Sequence, residues 1–126
     1  MQRATPTVTR ILTPLSTPTS TQFLSAQDVA HIVQQQGLEA TLRGMLDYVH
    51  ADYLRWQDFD KCARVAAHSP DGVIELMPIA DAQAYAFKYV NGHPKNFLHK
   101  LPTVMAFGVL ADVATGLPVL LSDLTL

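Results

Sequence analysis

The stretch from Gly72 to Pro94 limits what this chain can fold into more than any other. It holds two runs, Gly72-Val73-Ile74-Glu75-Leu76-Met77-Pro78 and Tyr85-Ala86-Phe87-Lys88-Tyr89-Val90-Asn91-Gly92-His93-Pro94, separated by a short polar break. β-Branched, aromatic and aliphatic residues fill both runs, and Pro or Gly closes each, which is the pattern of strands. One charge stands inside each apolar run, Glu75 in the first and Lys88 in the second. A charge there is costly unless it is paired, turned to the strand's other face, or kept for chemistry.

Parity ties a third charge to these two. The preceding run, Lys61-Cys62-Ala63-Arg64-Val65-Ala66-Ala67, reaches Val73 through His68-Ser69-Pro70-Asp71-Gly72, a turn with Pro and Gly in favourable positions. With Pro70 and Asp71 at the centre of the turn, Arg64 falls opposite Met77 and diagonal to Glu75. With Ser69 and Pro70 at the centre, it falls directly opposite Glu75. Side chains alternate with a period of two, so both registers put Arg64 and Glu75 on one face. Pairing the next two strands about a centre near Asp81 and Ala82 brings Lys88 to the same level, across a seven-residue loop. Arg64, Glu75 and Lys88 then form a row across three neighbouring strands. Spacing alone fits a ladder of ion pairs on a solvated face.

The chain has 126 residues, 48% hydrophobic and 16% charged, with a formal net charge of −2. That is one domain, long enough for a core covering very roughly two thirds of its unfolded surface. The balance gives no electrostatic footprint for nucleic acid and no polybasic membrane patch. No apolar run approaches the length of a membrane span. The single Cys62 excludes an internal disulfide and a cysteine-based zinc site. It reads as a small buried hydrophobe, in keeping with a reducing, cytoplasmic setting. The apolar fraction is high for so small a chain, so part of the surface is expected to meet a partner or a second domain.

Residues 1–22 hold seven Thr, three Pro and two Ser, with Arg3 and Arg10 as the only charges, and read as a flexible tail. Ser25-Ala26-Gln27-Asp28 is a capping-box helix start, and Gly37 stops that helix. A second helix is expected from about Leu38 to Trp56. Its apolar positions Leu38, Leu42, Met45, Leu46, Val49 and Tyr53 step by three and four, which defines one buried face. Arg43 and Asp47, four apart, make a surface pair of little energetic consequence. After Trp56 the period changes to two, with five strands expected over 61–67, 72–78, 84–91, 102–111 and 116–122. Pro118 marks an edge strand or the first positions of a strand. The result is an α+β domain over residues 23–126, two N-terminal helices packed on a mainly antiparallel five-stranded sheet. The order shows no βαβ alternation and no G-x-G-x-x-G string, so no dinucleotide fold is expected within it. No pair of the five histidines has a metal-ligand spacing, and His68 and His93 are expected to bond to turn backbone.

The residues carry more than spacing. Ala63-Arg64-Val65-Ala66, His68-Ser69, Gly72 to Pro78, Tyr85 to Pro94 and Thr103 to Asp112 closely resemble the ornithine cyclodeaminase family, which includes mu-crystallin and ketimine-reductase relatives. Phe87-Lys88-Tyr89-Val90-Asn91-Gly92-His93-Pro94, with Ala106-Phe107-Gly108-Val109-Leu110-Ala111-Asp112 after it, looks like ornithine cyclodeaminase in particular. The resemblance runs from about Phe23 to Leu126, where in the family the chain continues into a dinucleotide-binding domain. It implies the N-terminal substrate-binding and dimerisation portion of such an enzyme, cut before the NAD-binding domain. The family's reaction converts L-ornithine to L-proline and ammonia, with a bound NAD reduced and then reoxidised.

By the same resemblance Arg64 matches the substrate-carboxylate arginine, Lys88 the substrate-binding lysine and Glu75 the acidic residue near the substrate amine. Thr103, expected to open the fourth strand, matches a threonine that touches the cofactor. A guanidinium and an ammonium converging on one carboxylate would fix its orientation by charge-assisted bonds. A nearby carboxylate can hold or deprotonate an amino group. The family's second arginine and catalytic aspartate match nothing in these 126 residues, so the chain by itself is expected to be inactive. A homodimer is implied. The alternatives are a lysine cyclodeaminase, a ketimine reductase, or a non-catalytic binding or dimerisation module.

Overall fold

The computed structural model describes residues 19–125, and all but the last four residues of the expected tail lie outside them. Gln22, the last of those four, already belongs to a strand, β1 (Gln22–Leu24).

Helix α1 (Ala26–Gln36) begins with the expected capping box. The Ser25 hydroxyl accepts the Asp28 N–H at 3.2 Å, and Asp28 Oδ2 accepts the Ser25 N–H at 2.8 Å. These satisfy two donors that a helix start otherwise leaves bare. Gly37, at φ 84°, ends α1 and leads straight into α2 (Leu38–Leu54), a backbone angle that suits a residue without Cβ. On α2, Arg43 bonds Glu39 at 2.9 Å rather than Asp47. The acid N-terminal to the base at this spacing is the better orientation.

The sheet is mainly antiparallel, as expected, but among the described residues it has seven strands rather than five. They are β1, β2 (Asp60–Lys61), β3 (Val65–Ser69), β4 (Gly72–Ala80), β5 (Ala84–Gly92), β6 (Ala106–Asp112) and β7 (Pro118–Asp123). Their order is β1-β7-β6-β5-β4-β2, with β3 also on the outer side of β4. One extra strand comes from β1, which pairs in parallel with β7. Three residues outside any periodic pattern give no alternation from which to read a strand. The other arises because the expected strand over 61–67 is two, β2 and β3. Both pair with β4, but three residues, Cys62 to Arg64, face only Met77 and Pro78. That is a bulge. Pro78 was expected to close its strand and instead lies within it, opposite the bulge, where a residue with no N–H to give is tolerated.

The β4–β5 connection is also tighter than expected. Asp81 N–H donates to Ala84 O at 2.9 Å, so the loop is short and the strands are longer. The register moves with it, and Lys88 stands opposite Met77, not Glu75. The parity is unaffected. Arg64, Glu75, Met77 and Lys88 belong to one face, and Tyr85, Phe87, Tyr89 and Phe107 to the other.

Burial departs most from expectation. Among the described residues no apolar side chain is fully buried, and the two that are buried, Asn91 and Ser122, are polar. The apolar stripe of α2 is solvent-facing along its length, with Leu46 66% exposed. On the sheet's aromatic face Tyr89 stacks on Phe107 at 5.0 Å, yet Phe107 and Tyr85 remain about 40% exposed. The physical reason is layer count: one sheet and two helices that meet it near β1 and β7 and at the end of α2 cannot cover both sheet faces.

One tie between the end of α2 and the sheet is ionic. Arg55, which caps α2, bonds Asp52 at 3.0 Å and Asp81 at 2.8 Å. Asp81 also accepts the Gln83 and Ala84 N–H groups, each at 2.8 Å. Those backbone donors, then Arg55, hold its carboxyl down to about 2. A depressed carboxyl stabilises the fold above its unfolded value, near 4, and that stability is lost as pH falls to about 2. Asp81→Asn, which keeps an acceptor but not the charge, is expected to melt several degrees below the parent at pH 7. The gap should close as pH falls from about 4 towards 2 in paired thermal melts.

Candidate active site

The bulge decides where Arg64 points. Lys61 pairs with Ile79, and Arg64, three residues on, is level with Met77 on the same face. In a regular strand residues three apart point to opposite faces; the inserted residue cancels that. Arg64 Nη1 lies 3.2 Å from both carboxylate oxygens of Glu75. Nε and Nη2 of the guanidinium take no part in that pair. Glu75 is the more enclosed partner, its side chain 18% exposed against 58% for Arg64.

Lys88 differs from both. It is half-buried at the middle of the sheet, between Met77 on β4 and Gly108 on β6. Among the described residues no carboxylate lies within ion-pair distance of its ammonium. It borders an open groove of about 320 Å³ whose walls include Met77, Ile79, Leu110, Leu120 and Leu124. Gly108 lets Leu124 pack close on the far side, since a Cβ there would meet Leu124 Cδ1 at 3.0 Å. A half-buried cation without a counter-ion is a standing attraction for an anion.

Thr103 is not in a strand. It precedes β6 by three residues and is exposed, and its carbonyl accepts the His93 N–H at 2.8 Å. Sequence reasoning overlooked the residue that fixes this segment, Asn91. Its Oδ1 accepts the Met105 N–H at 2.6 Å, and its own N–H donates to Met105 O at 3.0 Å. Its Nδ2 is 2.9 Å from His93 Nδ1, so the His93 ring bonds a side chain rather than turn backbone. The signal was available: a lone amide closing an apolar strand is rarely buried without partners. Cys62, expected to be buried, is exposed in the bulge. Among the described residues no group of His, Cys, Asp and Glu could hold a metal ion. No helix there is long and apolar enough to cross a membrane.

A model of the ornithine cyclodeaminase/mu-crystallin family matches residues 26–126. This chain belongs to that family. An ornithine cyclodeaminase of Brucella abortus is 53% identical over 104 residues, which cover 82% of this chain and 29% of the relative. One of Agrobacterium fabrum is 49% identical over the same shares. The chain therefore spans less than a third of the length of the relatives it matches. Among solved structures, a lysine cyclodeaminase that recognises L-lysine, L-ornithine and L-2,4-diaminobutyric acid superimposes with a TM-score of 0.75 at 25% identity, over 82% of this chain and 33% of its own. An archaeal alanine dehydrogenase dimer with bound NAD gives 0.61 at 25% identity, over 83% and 31%. The fold described above is thus that of one portion of this family's enzymes.

Because Arg64 is more than half exposed, its pair with Glu75 adds little to stability whatever its role. Glu75→Gln is expected to cost under about 1 kcal/mol in urea unfolding. A loss of several kcal/mol would mark the pair as a structural strut.

Proposed function

We propose that residues 23–126 are the substrate-binding and dimerisation unit of a cytoplasmic ornithine cyclodeaminase, converting L-ornithine to L-proline and ammonia. The observation that carries this reading is the unpaired Lys88 ammonium on the same face as the Arg64–Glu75 pair. An amino acid presents one carboxylate and one ammonium. Lys88 and the free edge of the Arg64 guanidinium suit the first, and Glu75 suits the second, as the acid that holds or deprotonates the amine. The identity to ornithine cyclodeaminases favours ornithine over lysine or a cyclic imine.

NAD would supply the hydride acceptor and donor of such a cycle. The described residues fit it poorly: they offer the hydroxyl of Thr103 and no glycine-rich turn leading into a helix. A net hydrogen bond is worth about 1 kcal/mol, against the ~8 kcal/mol of micromolar binding. Holding the cofactor then falls to a dinucleotide-binding domain outside residues 23–126.

The aromatic face of the sheet suits a second copy of this chain. Tyr85, Phe87, Tyr89 and Phe107 form a contiguous aromatic patch, with Tyr85 and Phe107 exposed and Phe87 and Tyr89 half-buried, and such patches mark interfaces. Sedimentation at high concentration should show a dimer, and a clean monomer would count against this part of the reading.

The site itself is tested in a polypeptide that joins this chain to its dinucleotide-binding domain. Lys88→Ala should weaken L-ornithine binding about ten- to a hundredfold, the worth of one charge-assisted bond. Arg64→Lys should also be harmful, because a point charge cannot grip a carboxylate with two prongs. Gly108→Val should raise KM by pushing Leu124, a wall of the groove, towards Lys88. Normal kinetics for Lys88→Ala and Arg64→Lys would reduce the row to a surface ladder. Turnover of L-lysine in preference to L-ornithine would transfer the same site to a lysine cyclodeaminase.

A further inference from the structure

Arg64 is poorly held for a residue that must grip a ligand. It sits at the sheet's outer edge, in a bulge, with a side chain 58% exposed and one nitrogen engaged. The strand before the bulge, β2, is only two residues long. Little ladder exists there to fix where the bulge begins.

Lys61, the last residue of β2, provides a different anchor. Its ammonium donates to Trp56 O at 2.6 Å and to Phe59 O at 2.8 Å. It also lies 5.0 Å from the centroid of the Trp56 ring, within cation–π range. Those carbonyls bracket the short 3-10 turn Trp56–Asp58 that follows α2. The turn is fixed in its own right, because Arg55 just before it bonds Asp81 in the β4–β5 connection. Trp56 is held from both sides, stacked on Tyr53 at 5.4 Å and edge-on to Phe59 at 6.4 Å. A chain of contacts therefore runs from the β4–β5 turn through Arg55 and Trp56 to Lys61, and three residues later to Arg64.

We propose that Lys61 is a positioning residue, its ammonium pinning the start of the bulge so that Arg64 meets the substrate carboxylate at the Glu75 face. This rests on the reading of Arg64 as a carboxylate ligand. Lys61 is bonded to backbone carbonyls and touches no substrate, so its effect must pass through Arg64. A small misplacement is enough to matter, since an error of about 1 Å can cost as much as ~100-fold.

A double-mutant cycle in the complete enzyme tests it, with L-ornithine as substrate. Lys61→Met should raise KM about tenfold with kcat within about twofold, and Lys61→Arg, which can still donate to two carbonyls, should recover most of the loss. In an Arg64→Ala background Lys61→Met should change KM no further. If Lys61→Met does not fold, Trp56→Leu, which removes the ring but keeps the carbonyl, carries the same test with a smaller rise in KM. A lowered Tm with unchanged KM, or effects that multiply in the double variant, would overturn the role of Lys61 while leaving the site intact. An unchanged KM for Arg64→Ala would instead overturn the carboxylate reading, and this inference with it.

Discussion

The antiparallel pairing of β4 with β5, nine residues against nine, is the constraint on which the rest depends. Pleating sends alternate side chains to opposite faces, so this ladder separates Glu75, Met77 and Lys88 from Leu76, Phe87 and Tyr89. A slip of one residue would exchange the faces of the slipped strand, setting charge among the aromatics and aromatics beside the charge. The register is held at the turn, where the Asp81 carboxylate takes two backbone N–H groups and Arg55. One short polar connection therefore sets the sheet register, anchors the end of α2 and fixes which side of the sheet carries the charged row.

The same arrangement leaves the molecule rich in uncovered apolar surface. The stripe on α2 and the aromatic face of the sheet are amphipathic surfaces whose second layers are absent among the described residues. Hydrophobic burial is worth about 25 cal/mol per Å², so covering such faces is favourable. On the opposite face the groove is apolar around a single cation, a setting where a desolvated charge interacts strongly with an incoming anion. The two faces thus differ in kind, one an uncovered aromatic surface and the other an apolar groove around a cation.

Much of this was legible in the sequence. The capping box at Ser25, the stop at Gly37, the shift from helical to strand period after Trp56 and the shared face of Arg64, Glu75 and Lys88 all depend on spacings of a few residues. Local sterics and the period of two decide such features, whatever lies elsewhere in the chain. The family likeness rests on the same strings of residues and was readable before any fold was known.

Other features could be decided only in three dimensions. β1 exists because β7 offers it an edge, and the split between β2 and β3 exists because Pro78 stands opposite. The level of Lys88 against Met77 follows from how Asp81 folds the turn, and the fixing of Thr103 from how Asn91 reaches Met105 across the sheet. Burial is the clearest case. The pattern of Leu38, Leu42, Met45 and Leu46 specifies that one side of α2 is apolar, and it cannot specify what lies against that side. Periodicity is a property of the chain next to itself, whereas covering a face is a property of what else is there to pack.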